Sequence, residues 1–212
     1  MISAVPFLLR GLSTTIVVTL GSFGIGALLG LPLMLAKRAE ARPVAWIASA
    51  YIQVARGIPP IAWVLMIFFG VGRVMTIPPL LAACVALGLV SAAYLAENYR
   101  AGMEAVSTGQ WEAGDSLGFT RADLFTRIIA PQGLAVALPP STTYLVGLLK
   151  DSAVVSVIGV SDISFQALTY TQQGHPGLAA FVAAGAVYML VGIPLAVVAR
   201  RSDRFVRSKM AV

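Results

Sequence analysis

Five apolar runs, each long enough to cross a lipid bilayer, leave this chain few other ways to fold. A membrane-spanning helix needs about 20 consecutive apolar residues, and runs of that order recur near 12–36, 44–70, 78–100, 134–160 and 177–199. Lipid offers no partners for backbone N–H and C=O groups, so such segments must satisfy them internally as helices. The expected class is an all-α membrane protein with about five transmembrane helices. One membrane domain over 12–201 is followed by a basic tail, 202–212. Charged residues are 11% of the chain, against about 25% in a soluble domain, which fits that class. Punctuation falls between the runs: Lys37-Arg38 ends the first and Pro43 opens the second, a good place for proline at a helix start. Gly70-Val71-Gly72 closes the second run, Pro78-Pro79 opens the third, and the turn Gly174-His175-Pro176-Gly177 precedes the fifth.

Charge bias orients the spans. The 37–43 loop, the 97–132 loop and the C-terminal tail carry eleven of the fifteen basic residues, while Arg10 and Arg73 lie on the other side. Basic residues gather on the cytoplasmic side of a membrane, so the long loop and the C-terminus are expected inside and the N-terminus outside. A net charge of +6 distributed this way marks topology, and nucleic acid is not an expected partner. The first fifteen residues have no basic region ahead of their apolar part and no small-residue cleavage site. A removable signal peptide is therefore not expected. The lone Cys84 lies in an apolar run and reads as a buried small hydrophobe. Gly26 and Gly30 form a GxxxG pattern, a face on which helices can approach closely.

Between Glu97 and Gln132 a polar stretch interrupts the pattern and gathers five of the nine acidic residues, Glu97, Glu104, Glu112, Asp115 and Asp123. Ser107-Thr108-Gly109-Gln110 has the spacing of a capping box, which predicts a short helix from about Thr108 to Leu117 with Gly118 ending it. Thr120 and Asp123 cap a second helix with Leu124, Phe125, Ile128 and Ile129 at helical spacing. Pro131 is expected to break that helix before the fourth run. This is helix–turn–helix geometry at the cytoplasmic surface. Ala113, Gly114, Leu117 and Gly118 make a small-residue face, and Trp111 and Glu112 add an aromatic anchor and a charge. By periodicity alone the helix either docks a soluble partner or rests on lipid headgroups.

Glu112-Ala113-Gly114, then Gly118, then Ile129-Ala130-Pro131-Gln132, resembles the EAA loop of ATP-binding-cassette importer permeases. The segments 93–102 and 148–160, and Arg56-Gly57-Ile58-Pro59-Pro60, are similar to the polar amino acid branch of that family. The similarity runs from about Leu12 to Arg201, with several separated motifs in order. It implies a type I importer permease fold in a bacterial plasma membrane, with a coupling helix seated in a groove of an ATPase subunit. ATPase-docking residues would be Trp111, Glu112, Ala113, Gly114, Leu117 and Gly118. The further partners implied are an extracytoplasmic amino acid-binding protein and a second permease copy or similar subunit. No cofactor is implied on this chain, ATP and Mg being held by the ATPase; no GxxxxGK[ST] phosphate loop is present. Three positions depart from the pattern: Gly114 for the usual second alanine, Ala130 for a leucine, and Thr143 for an asparagine.

Charges inside the runs raise a separate question. Arg56 lies about 18 Å into the second run at 1.5 Å per residue, and a bare charge there must face the bundle interior or water. Pro59-Pro60 follow it, and residues before proline avoid helical geometry, so this span is expected to kink or unwind beside the arginine. Broken spans are how transporters build polar sites near the midplane. Asp151 suits a substrate ammonium, and Arg56 or Lys150 a carboxylate; a fixed network between spans fits the same residues equally well. Thr143, Tyr144, Ser152 and Ser156 offer hydroxyls to the same path, although a lone hydroxyl usually bonds its own helix. Asp162 is expected to be solvated near the external end, and His175 to be a loop residue with no metal site around it. An ion-coupled secondary transporter is the alternative function; it would need internal repeats and coupling carboxylates, and only Asp151 is available. An intramembrane hydrolase would need a nucleophile–base pair. The chain alone is not expected to be an enzyme.

Overall fold

The computed structural model describes residues 4–210, and among them the chain is helical throughout. Its helices are α1 (Val5–Lys37), α2 (Arg42–Gly57), α3 (Pro60–Val71), α4 (Pro79–Glu104), α5 (Thr108–Ser116), α6 (Arg121–Ile158), α7 (Ile163–Gln172) and α8 (Gly177–Met210). Four of them, α1, α4, α6 and α8, are long and apolar enough to cross a bilayer singly, and the bent pair α2 and α3 raises the number to five.

The second run is not one straight crossing. α2 and α3 meet at 107°, because Ile58 and Pro59 are both extended, at φ −96°, ψ 132° and φ −56°, ψ 140°. Neither Pro59 nor Pro60 has an N–H to carry a helix through. The fourth run differs in the opposite sense. Pro131 does not break the helix expected to end there, since α6 runs unbroken from Arg121. A π-helical segment, Phe125–Ile129, lies just before it, and Ala130 N–H bonds the Phe125 carbonyl. Widening the turn in this way takes up the strain of a proline close behind. The third run extends past residue 100 to Glu104, held by Arg100 bonds to Glu97 and Glu104, three residues before it and four after. The fifth continues helically into the basic tail as far as Met210, and residues 211–212 lie outside the described residues.

α4 is the central post, with most of its side chains buried. α1 packs along it closely enough that a Cβ at Gly26 would sit 2.4 Å from Ser91 Cβ and one at Gly30 would sit 3.1 Å from Ala96 N. The GxxxG face is thus occupied within the chain. Tyr51 Oη donates to the Leu89 carbonyl at 2.9 Å, which fixes α2 on α4. Lys37 at the end of α1 pairs with Glu97 of α4, and Glu97 pairs in turn with Arg100. These ion pairs join α1 to α4 at the end of the bundle that carries α5.

The far end is closed by α7. Asp162, expected in solvent, is fully buried there. Its Oδ1 accepts from Phe165 N at 2.8 Å and caps α7, while Tyr188 Oη of α8 donates to Oδ2 at 2.8 Å. Ile163 N donates to Thr15 Oγ1 of α1 at 3.2 Å. Burial pushes the Asp162 carboxyl above its ordinary range, and the bonds from Phe165 and Tyr188 offset only part of that rise. A buried carboxylate is tolerable only when its oxygens are satisfied in this way. His175 is exposed and stacks on Tyr170 at 4.0 Å between ring centroids.

Candidate functional site

The polar interruption folds as a hairpin of α5 and the start of α6. Ser107 Oγ caps α5, accepting from Gly109 N at 3.2 Å, while Gln110 N bonds the Ser107 carbonyl. Ser107 thus acts as a simple N-cap without the reciprocal bonds of a capping box, and the Gln110 side chain lies toward Gln132 instead. At the other end Gly118 adopts φ +77°. Its N–H bonds the Asp115 carbonyl and Phe119 N–H bonds the Gly114 carbonyl, the paired bonds of a Schellman stop. Thr120 Oγ1 then accepts from Asp123 N at 3.1 Å and starts α6. Arg121 closes the turn on Asp115 at 3.0 Å.

This hairpin has two faces. Inward, a Cβ at Gly114 would lie 2.3 Å from Leu124 Cδ1, so the missing side chain makes room for the chain's own leucine. Trp111 also turns inward, half-buried against the apolar cluster that includes Met103, Leu124 and Ile129, with the Arg121 guanidinium 5.8 Å from its ring centroid. Outward stand Glu112, Ala113 and Leu117, the last 76% exposed, followed by Gly118 and Phe119. The six residues singled out from the sequence therefore divide. Gly114 and Trp111 build the hairpin, and Glu112, Ala113, Leu117 and Gly118 form its open surface.

A second set of polar groups lies where α2, α4 and α6 meet. The Arg56 guanidinium carbon is 5.1 Å from the Tyr94 ring centroid. Tyr94 stacks on Tyr144 at 4.8 Å, and Tyr144 Oη shares a 3.0 Å hydrogen bond with Ser91 Oγ. One turn further along, Asn98 Nδ2 approaches Ser141 Oγ at 3.4 Å. Asp151 stands seven residues after Tyr144, within about 20° of the same helix face. Arg56 and Asp151 are both exposed in the single chain.

The remaining candidates lie elsewhere. Lys150 is turned about 120° away from Tyr144 and lines a groove against α8. Thr143 Oγ1 donates to Pro139 O, Ser152 Oγ to Leu149 O and Ser156 Oγ to Ala153 O, at 3.0, 2.7 and 2.8 Å. Those three hydroxyls are consumed by their own helix. Sequence reasoning missed Ser91, Asn98 and Ser141 as members of the polar band. The signal was available in their spacing: 91, 94 and 98 on one helix, and 141 and 144 on another, each mark one stripe.

With this geometry in place, comparison with known proteins is direct. Residues 22–208 match the family described as binding-protein-dependent transport system inner membrane component. An arginine transport system permease protein, ArtQ, of Bacillus subtilis (strain 168) is 34% identical over 209 residues, covering 98% of this chain and 95% of that one. The L-cystine transport system permease protein TcyB of the same organism is 32% identical, covering 95% and 88%. Among solved structures, an amino acid ABC transporter with histidines superposes with a TM-score of 0.89 at 34% identity, covering 96% of each chain. The MetNI methionine ABC transporter, in an inward-facing form, shares the fold with a TM-score of 0.77 at 23% identity and 95% coverage of each chain. The chain belongs to this family: it is a multi-pass, inner-membrane permease subunit of the ATP-binding-cassette importer class. Membership implies an ATPase as a separate subunit and a substrate-binding protein.

Proposed function

We propose that the chain is the permease subunit of an amino acid importer, built as a single domain over 12–201. It takes its substrate from an extracytoplasmic binding protein and passes it inward by alternating access. ATP hydrolysis on the partner drives the cycle, with ATP and Mg held there and no cofactor held by this chain. The N-terminus lies outside and the C-terminus in the cytoplasm, as the basic bias of the 37–43 and 97–132 loops requires. The observation that carries this reading is the outward face of α5, where Glu112, Ala113 and Leu117 stand clear of a hairpin whose other face is packed. An exposed leucine beside a carboxylate on a rigid, capped helix suits a groove in a soluble partner.

Amino acids as substrate are supported by the relatives, among them permeases named for arginine and L-cystine, and by the charges beside the polar band. Arg56 suits a carboxylate and Asp151 an ammonium. Tyr94 and Tyr144 provide a polar-edged aromatic wall between α4 and α6. Both charges are exposed in the single chain, and an ionised group within a span needs water or a partner. A second permease subunit across this face, identical or similar, would enclose them. The test is uptake in proteoliposomes holding the full transporter and its binding protein, with a panel of labelled amino acids. Uptake of one class is expected to depend on ATP, and Arg56→Ala to reduce it at least tenfold, of the order of one lost charge-assisted contact. Normal uptake by that variant would remove Arg56 from the path.

A further inference from the structure

We propose that the far end of the bundle is a docking surface for an acidic-rimmed binding protein, with Arg10 and Arg73 meeting carboxylates on that partner. The inference rests on the orientation and function given under Proposed function. Three segments build this end: the start of α1, the α3–α4 turn over 72–78, and α7 with the turn that follows it. They are locked together. A Cβ at Gly11 would collide with the Asp162 backbone, so α1 meets the start of α7. Ile77 packs on the buried cluster that holds Ile158 and Val160. Depth places both arginines at the outer surface. The ion pair of Lys37 with Glu97 marks the inner level. From Glu97 back to Pro79, α4 rises about 27 Å, and from Lys37 back to Arg10, α1 rises about 40 Å. The hydrocarbon core is about 30 Å thick.

What this surface lacks selects its partner. Eight of the nine acidic residues lie in the inner loops, in the tail or within a span, and the ninth, Asp162, is fully buried. No exposed carboxylate therefore stands at this end among the described residues. Arg10 and Arg73 are exposed and form no ion pair among them. Arg10 is steadied instead by an aromatic row. Its guanidinium carbon is 5.0 Å from the Phe7 ring centroid, Phe7 tilts against Tyr170 at 5.5 Å, and Tyr170 stacks on His175. Arg73 opens the exposed run Arg73-Val74-Met75-Thr76, with Val74 at 88% and Met75 at 63% exposure. That run is not helical, and irregular backbone is not accommodated among lipid tails. Its apolar side chains thus stand in water until a protein covers them. Methionine and arginine are enriched in protein interfaces. A surface of one sign steers in a partner of the opposite sign and rejects one that shares it, which disfavours a second copy of this chain here.

The experiment is a titration of ATP hydrolysis by the intact transporter in nanodiscs, using the loaded binding protein that stimulates the wild type. The double variant Arg10→Glu, Arg73→Glu is expected to raise the half-saturating concentration about tenfold at low salt, with the rate at saturation retained. High salt is expected to shrink the difference, and Arg73→Lys to keep the wild-type value. In proteoliposomes, Met75→Cys is expected to react with a membrane-impermeant maleimide and to be shielded by saturating binding protein; the native Cys84 is buried. Unchanged half-saturation in the double variant would overturn the proposal, as would a loss of rate at saturation alone. A Met75→Cys that is unreactive without binding protein would overturn it too, by placing the turn in lipid. If no loaded binding protein stimulates the wild type, the importer reading itself fails and takes this inference with it, an outcome distinct from the other three.

Discussion

Gly114 and Gly118 lie four residues apart and serve different ends. Gly118 is required by its backbone, because φ of +77° is a conformation that a Cβ disfavours by about 1–2 kcal/mol. Gly114 is required by its neighbour, since Leu124 fills the space a side chain would take. Gly118→Ala is therefore expected to loosen the hairpin by about 1 kcal/mol, seen as faster hydrogen exchange over 108–124 with the spans unaffected. Unchanged exchange would mean that the Schellman stop is not what holds α5. Asp162 is the other residue with an outsized part. Asp162→Ala removes the cap of α7 and leaves Tyr188 Oη with only Ser164 Oγ beside it, at a cost of about 1–3 kcal/mol, measurable as a lower unfolding temperature in detergent. Asp162→Asn keeps an oxygen to cap α7 and turns an amide N–H toward Tyr188 Oη, which can accept it, and is expected to lose less than half as much. Equal losses for the two would point to the charge rather than the hydrogen bonds.

Among the elements, α4 sets the geometry of the rest. α1 approaches it through Gly26 and Gly30, α2 hangs from it by Tyr51, and its far stripe meets α6 through Ser91, Tyr94 and Asn98. Gly26→Leu would drive a side chain into Ser91 and is expected to cost about 1–3 kcal/mol. The expected readout is a reduced yield of folded, monodisperse permease complex on size exclusion. A normal yield would show that α1 and α4 can separate freely. Much of this arrangement was legible beforehand. Apolar run lengths gave the spans, Pro59-Pro60 gave the break in the second, and Gly118 and Thr120 gave the turn of the hairpin. What was not legible depended on contacts distant in sequence. Asp162 looked solvated because Tyr188, which bonds its carboxylate, is 26 residues away, and Thr15, which bonds the next residue Ile163, is 148 residues from it. Pro131 looked like a breaker because a π-helical turn leaves no mark in local propensity. Gly114 looked outward because only folding shows which side of α5 Leu124 comes to fill.

For the whole molecule, the two ends of the bundle are built differently, and that difference is the basis of the functional reading. The far end is sealed: α7 is tied to α1 by the bond from Ile163 N to Thr15 Oγ1 and to α8 through the buried Asp162 carboxylate. At the hairpin end, Lys37, Glu97, Arg100 and Glu104 form a charged network that holds α1 against α4. Beyond it α5 projects with its outer face free. A force applied to α5 passes through Leu124 into α6, which carries Tyr144 and Asp151 in one unbroken helix. In the proposed function, movement of α5 against its partner and rearrangement of the polar band would thereby be mechanically connected. The most direct test of that account is ATP hydrolysis by the reconstituted transporter in the presence of its loaded binding protein, comparing wild type with Glu112→Lys and Leu117→Asp. Both variants keep the inward face of the hairpin and are expected to fold, yet to lose most of the stimulated hydrolysis, about tenfold, the scale of one disrupted interface anchor. Stimulated hydrolysis at the wild-type rate in both would contradict the docking role of α5.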